Sequence, residues 1–261
     1  MSDWLHNLPI VWLAVVVFGL TYLMAAGIFA LVAALATGER RLAFKAISPV
    51  MLPPLGIVFG LFVVFTAAQV WTDNERANTV VSQEASALRA VVVLAAAFPG
   101  EPESRLRALI RRHIEQAATQ EWPMMARGTA TLRFTPPSLV EALQLTLGLT
   151  VSSEGQKTAQ SGIAAALETA FDARRQRIII SQSQVSLVKW LCMLVQAAVA
   201  LCAIAMIHCD NRITSAIAVS LFAAGVAASV LLIASHDRPF VGEISVGPEP
   251  LLQVIPEAGT N

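Results

Sequence analysis

The chain has 261 residues, 56% of them hydrophobic and only 14% charged, with 18 basic and 18 acidic residues giving a formal net charge of zero. A soluble domain of this size does not carry so much apolar surface, so the composition indicates a membrane protein. The balanced charge removes the basic surface that nucleic acid binding requires.

The first apolar stretch runs from Pro9 to Ala36. Ala34-Leu35-Ala36 has the small-x-small form of a signal-peptide cleavage site. The N-terminus, however, carries Asp3 and no Lys or Arg, and the apolar run far exceeds the about 7–15 residues of a signal h-region, so the segment is expected to stay in the membrane. A short loop, Thr37 to Ile47, carries Glu39, Arg40, Arg41 and Lys45 and leads to a second stretch from about Ser48 to Trp71. A third runs from about Leu187 to His208, and a fourth from Ile213 to Ala234, joined by Cys209-Asp210-Asn211-Arg212. Each has the roughly 20 residues a helix needs to cross hydrocarbon, and none contains Asp, Glu or Arg. Lys189 and His208, at the ends of the third, can snorkel to the interface. Cys192, Cys202 and Cys209 fall in or at the end of that span without ligand spacing and read as packing residues.

Four spans in two pairs place both short loops on one face of the membrane and the N-terminus, central segment and tail on the other. Arg40, Arg41, Lys45 and Arg212 flank the short-loop face. Arg76, Arg89, Arg174, Arg175, Arg177 and Arg238 flank the other, a bias toward a cytoplasmic central domain, although the first span taken alone points the other way.

The division expected is therefore residues 1–71 as the first span pair, 72–186 as a helical extramembrane domain, 187–234 as the second pair and 235–261 as a tail. After Trp71, the residues Ala77, Val81, Ala85, Leu88, Val92 and Ala95 recur at helical spacing, so the second span is expected to continue as one helix to Phe98-Pro99-Gly100-Glu101-Pro102. A second helix, about Glu103 to Glu121, puts Leu106, Ile110, Ile114 and Ala117 on one face. A third follows Pro136-Pro137, from Ser138 to about Leu149. After a turn at Ser152-Ser153-Glu154-Gly155 the last helix starts near Lys157, carries Ile163, Leu167, Ala170 and Phe171, and is expected to run into the third span. In the tail, Ser235 to Leu251 alternates turn and apolar residues and reads as a strand or loop laid back on the helices, with Glu257 to Asn261 disordered. The fold class is all-α, a helical integral membrane protein.

Three places suggest chemistry, each with a plainer reading beside it. In the second span, Gly56-x-x-x-Gly60 permits a close helix pair inside the bundle. Alternatively, Phe59, Phe62 and Phe65 form a hydrophobic constriction in an oligomeric pore, with Thr66 and Gln69 at its wetter mouth. Phe59 and Val63 share one face; Phe62, Thr66 and Gln69 share another. Asp237-Arg238-Pro239-Phe240-x-Gly242 either fixes the tail at the interface, with Arg238 on helix carbonyls or a carboxylate, or forms an ion or ligand site. Glu84 and Glu121, the latter beside Trp122, read as partners of the many arginines or as a site. Hydrolase, zincin and phosphate-loop motifs are missing, and His6, His113, His208 and His236 lack ligand spacing, so no enzyme, metal or cofactor is expected.

Trp71, Val81-x-x-Glu84-Ala85-x-x-Leu88, Glu121-Trp122, Arg174-x-x-Arg177 and Asp237-Arg238-Pro239-Phe240-x-Gly242-x-Ile244-x-Val246-x-Pro248, set in this arrangement of spans, resemble the bestrophin-like domain family of bacterial membrane proteins over roughly Val11 to Leu252. The family's name records a distant likeness to bestrophins, pentameric anion channels with a cytoplasmic helical domain and a pore lined by the second span. The resemblance implies a homo-oligomer in the lipid bilayer that conducts a small anion. The chain departs from bestrophins in being short after the fourth span and in lacking a recognisable acidic calcium clasp, so calcium gating is not implied. The competing reading is a non-conducting scaffold or signalling partner acting through its helical domain.

Overall fold

The computed structural model describes residues 9–133 and 135–255. His6 and the residues expected to be disordered at 257–261 lie outside them. All regular structure among the described residues is helical: α1 Ile10–Leu35, α2 Glu39–Lys45, α3 Leu52–Ala95, α4 Glu101–Gln116, α5 Trp122–Ala126, α6 Pro137–Leu147, α7 Glu154–Ile180, α8 Leu187–Ile207, α9 Arg212–His236 and α10 Glu249–Leu252. The chain divides into two compact units. One comprises residues 1–72, 184–237 and 242–244, and the other residues 73–183, 238–241 and 245–261, so α3 contributes to both.

Four helical segments of 26, 47, 21 and 25 residues are long and apolar enough to cross a membrane, the second being α3 with the 3-10 turn Pro49–Met51 before it, and the first unit holds all of them but the part of α3 beyond residue 72. Three starts are capped locally, the second span's by Ser48, whose Oγ accepts the Val50 N–H at 3.3 Å. Ser186 Oγ accepts the Lys189 N–H, and Asn211 Oδ1 accepts those of Ile213 (3.0 Å) and Thr214 (3.2 Å). The first loop contains the short helix α2, entered through Gly38 at φ 55°, where only glycine is unstrained. The unit's core lies mainly among α1, α8 and α9, where Ala25, Ala197, Ala205, Ala223 and Ala227 are buried and let backbones approach in the absence of a hydrophobic drive between helices.

The second span packs differently. Only 11% of its apolar window is buried within the protein, against 22, 33 and 28% for the others. A Cβ placed on Gly56 or Gly60 would meet nothing within 4 Å, so among the described residues the expected close helix pair is not made through these two glycines.

The other unit is a helical domain built around the continuation of α3. Ala77, Val81, Ala85, Leu88 and Ala95 are buried as expected, but Val91 replaces Val92 on the buried line because the stripe drifts by one position at the last turn. α4 buries Leu106, Ile110 and Ile114, and α7 buries Ile163, Leu167 and Ala170. Ahead of Pro123, which has no N–H to donate, the chain widens into a π turn at Ala117–Glu121. α7 begins three residues earlier than expected because Ser153 caps it, its Oγ accepting the Gln156 N–H while Gln156 Oε1 accepts the Ser152 N–H at 2.8 Å. α7 also does not run into the third span. It ends at Ile180, Ser181 turns its hydroxyl back onto the Ile178 carbonyl, and α8 starts afresh after Ser186. The tail forms no strand among the described residues. It is a series of turns and the single helical turn α10, and it places Phe240, Val246, Leu251 and Val254 in this unit's core.

Candidate functional site

The helical domain closes over a buried cluster of charge. Glu84, on the apolar face of α3, is fully buried, as is Arg177 on α7. Arg177 donates from Nε to Glu84 Oε2 at 2.7 Å and from Nη2 to Glu84 Oε1 at 3.1 Å, a forked pairing that only a guanidinium can make. Its Nη2 also donates to Glu121 Oε2 at 2.9 Å, and Arg174, one turn earlier, donates from Nε to Glu121 Oε1 at 2.7 Å. His113 of α4, 1% exposed, completes the group with Nε2 at 3.1 Å from Glu84 Oε1. Two carboxylates thus face two guanidiniums, with the His113 ring against Glu84.

Electrostatics follow from the geometry. Burial pushes the Glu84 carboxyl upward, but the Arg177 charge and the hydrogen bonds from His113 and Arg177 outweigh it and hold the group at about 2, below its ordinary 4.5. Burial likewise lowers Arg177, and the Glu84 and Glu121 charges more than reverse that, raising it. Trp122 lies against the cluster, its ring centroid 4.3 Å from Arg177 Cζ, and Met125 Sδ is 3.6 Å from Arg177 Nη1.

The tail motif divides its work. Phe240 sits edge-on to Trp122 with ring centroids 6.0 Å apart, and Trp122 Nε1 donates to the Val246 carbonyl at 3.0 Å. The turn between them is closed by Val246 N–H to the Pro239 carbonyl (2.7 Å) and carries Gly242 at φ 93°. In the membrane unit, Asp237 is buried and its Oδ1 accepts the Val185 N–H at 2.6 Å, in the break between α7 and α8. Arg238 is half-buried. Asp237 therefore acts on the backbone of the break, a partner that spacing alone does not indicate.

The second-span residues do not form one group. Phe59 is buried against Phe222 of α9 with ring centroids 5.8 Å apart, and Phe62 is partly buried in the same core. Thr66 is buried, its hydroxyl donating to the Phe62 carbonyl at 2.8 Å, so it shares the inward face with Phe59, where the sequence pairing with Phe62 and Gln69 had set it apart. Gln69 is exposed and its Oε1 accepts from Lys189 Nζ. Of the three phenylalanines only Phe65, 71% exposed, points outward, with Ile57, Leu61 and Val64 on the same broad face. Arg174 and Arg177, counted from sequence as charges flanking the third span, are instead consumed in the buried cluster. His113 was missed, although it falls on the buried line of Leu106, Ile110 and Ile114. Among the described residues no group of three or more His, Cys, Asp or Glu is placed to hold a metal.

Comparison with known structures supplies the frame. A bacterial bestrophin homologue from Klebsiella pneumoniae carrying a point substitution superposes with a TM-score of 0.69 at 11% identity, covering 93% of this chain and 97% of that one. Another structure of a bestrophin homologue from the same organism gives 0.62 at 13% identity over 92% and 95%. A structure described only as a membrane protein gives 0.63 at 14% identity over 92% and 95%. No curated protein sequence matches the chain. The sequence profile of the Bestrophin-like domain matches residues 11–251, nearly the whole chain and both halves of the buried cluster, and the protein belongs to the Bestrophin-like domain family.

Proposed function

We propose that the protein is a homo-oligomeric membrane channel or leak pathway for small anions, lined by the outward face of α3. The observation that carries this reading is the sparse packing of the second span, the least buried of four helices that are all apolar. An apolar helix face left outside the bundle meets lipid or other subunits, and a pore made from one helix per subunit needs a closed ring of copies. Gly56 and Gly60, open within the chain, suit the close approach of a neighbouring subunit. Family membership and the fold shared with bacterial bestrophin homologues support the same assembly.

In this arrangement the constriction is built from Ile57, Leu61 and Phe65, which are 61, 51 and 71% exposed, and not from the inward-facing Phe59. Such a ring gates by excluding water. Lys189, beside Gln69, brings positive charge toward the end of the second span and favours anions at that mouth. The helical domain is assigned to the cytoplasmic side.

The test is ionic conductance of the purified protein in planar bilayers, with chloride exchanged for a large organic anion and with Leu61→Ala and Phe65→Ala beside wild type. Chloride-dependent current that rises in these variants and weakens in anion preference in Lys189→Gln is expected. Silence from inserted, oligomer-verified protein across voltage would overturn the channel reading in favour of a scaffold.

A further inference from the structure

Within the membrane unit a cavity of about 330 Å³ opens at the end where the two short loops lie. Its inner wall comes from α1, through Phe29, Val32, Ala33 and Ala36, and from Ala205 of α8. Its mouth is polar. Arg41, Asp210 and Arg212 line it, with the buried Ser215 one turn into α9.

The two arginines are not equivalent. Arg41 is anchored, donating from Nε to Asp210 Oδ1 at 3.1 Å and from Nη2 to the Asp210 carbonyl at 3.2 Å, which fixes the position of its guanidinium. Arg212 makes no hydrogen bond or ion pair with any described residue. Among the residues that line the mouth, two cations stand against one carboxylate, and the Arg212 guanidinium has no partner among the described residues.

Depth decides what kind of anion fits. From Ala36 to Phe29 the apolar wall runs about 10 Å along α1, at 1.5 Å per residue, starting from the end of the span. A hydrated inorganic anion gains nothing from that wall and would lose its water there. A molecule with a phosphate at one end and hydrocarbon at the other satisfies both parts at once, and the phosphates of a bilayer lie at the level where a span ends.

We propose that this cavity binds the phosphate of an anionic phospholipid between Arg41 and Arg212, with the lipid's first methylenes against Phe29, Val32 and Ala33. The site lies on α1, α8 and α9, away from the outward face of α3, so it does not depend on conduction.

The experiment is native mass spectrometry of the full chain released from micelles containing equal amounts of phosphatidylglycerol and phosphatidylcholine. Wild type is expected to retain phosphatidylglycerol preferentially. Arg212→Gln should reduce retention about fivefold, the effect of one cation near an anionic surface. Ala33→Leu, which fills the apolar wall without altering charge, should reduce it as well, with circular dichroism confirming that both variants fold. Millimolar inorganic phosphate should not displace the lipid. Equal retention by wild type and both folded variants would overturn the proposal. Displacement by phosphate would overturn the lipid assignment in favour of a free-anion site.

Discussion

Replacing Glu84 by Gln leaves the shape of the buried cluster intact while removing one of its two negative charges. Arg177, fully buried, would then retain only Glu121, which it already shares with Arg174. Breaking one side of a buried pair costs about 3–5 kcal/mol, because the remaining charge stays out of water without compensation. Holding the Glu84 carboxyl at about 2 instead of 4.5 corresponds to about 3 kcal/mol of preference for the ionised form in the folded protein. For a protein of this size that predicts a drop of about 10 °C in Tm, read by differential scanning fluorimetry in detergent. The paired control is Glu154→Gln, whose carboxylate is 90% exposed and 3.8 Å from Lys157, and which should leave Tm unchanged. Converting both partners, as Glu84→Met with Arg177→Met, should recover much of the loss, since an apolar pair of similar volume removes the uncompensated charge. A Glu84→Gln protein that folds normally and melts within a degree or two of wild type would refute the assignment of stability to this pair.

The same carboxylate predicts acid lability. Its folded value lies below its unfolded one, so its contribution is complete above pH 4.5 and is lost as pH falls toward 2. Tm measured across that window should fall more steeply in wild type than in Glu84→Gln. Asp237→Ala orphans the buried Val185 N–H and should cost about 1–3 kcal/mol, with hydrogen exchange accelerated in the break before α8. A Cβ at Gly60 meets nothing within 4 Å among the described residues, so Gly60→Leu should leave the Tm of the protomer nearly unaltered while shifting the proposed oligomer to smaller species in mass photometry. Retention of the full assembly would argue against packing through that face.

Span positions and the long α3 could be read from length and period, since uninterrupted apolar runs admit few alternatives. The burial of charge could have been read from the same period. Ile163, Leu167, Ala170, Arg174 and Arg177 follow one another at steps of four and three, so both arginines fall on the line that faces the core. Glu84 stands beside Ala85 between Val81 and Leu88 in the same way. Treating those arginines as flanking charges hid the partners of Glu84 and Glu121, and removing them leaves four basic residues on each face. What could not be read was contact over long separations. Nothing in the spacing of Asp237 points to Val185, nor does the tail's composition point to Trp122, because those meetings depend on how separate helices are brought together. The inward turn of Phe59 and Thr66 has the same origin, since an apolar helix in hydrocarbon has no polar face to orient it.

The seat of Val246 and Phe240 against Trp122 has a consequence for how the protein is made. These residues leave the ribosome roughly 65 residues after Arg177, on the order of 3–13 s later at about 5–20 residues per second. During that interval the Arg177 face of Trp122 can already be occupied, while its indole N–H has no carbonyl to meet and its edge no aromatic partner. Two further spans are synthesised before the missing pieces exist. Completion of this core is thereby made contingent on synthesis of the second span pair, and a chain released early would carry an unfinished domain.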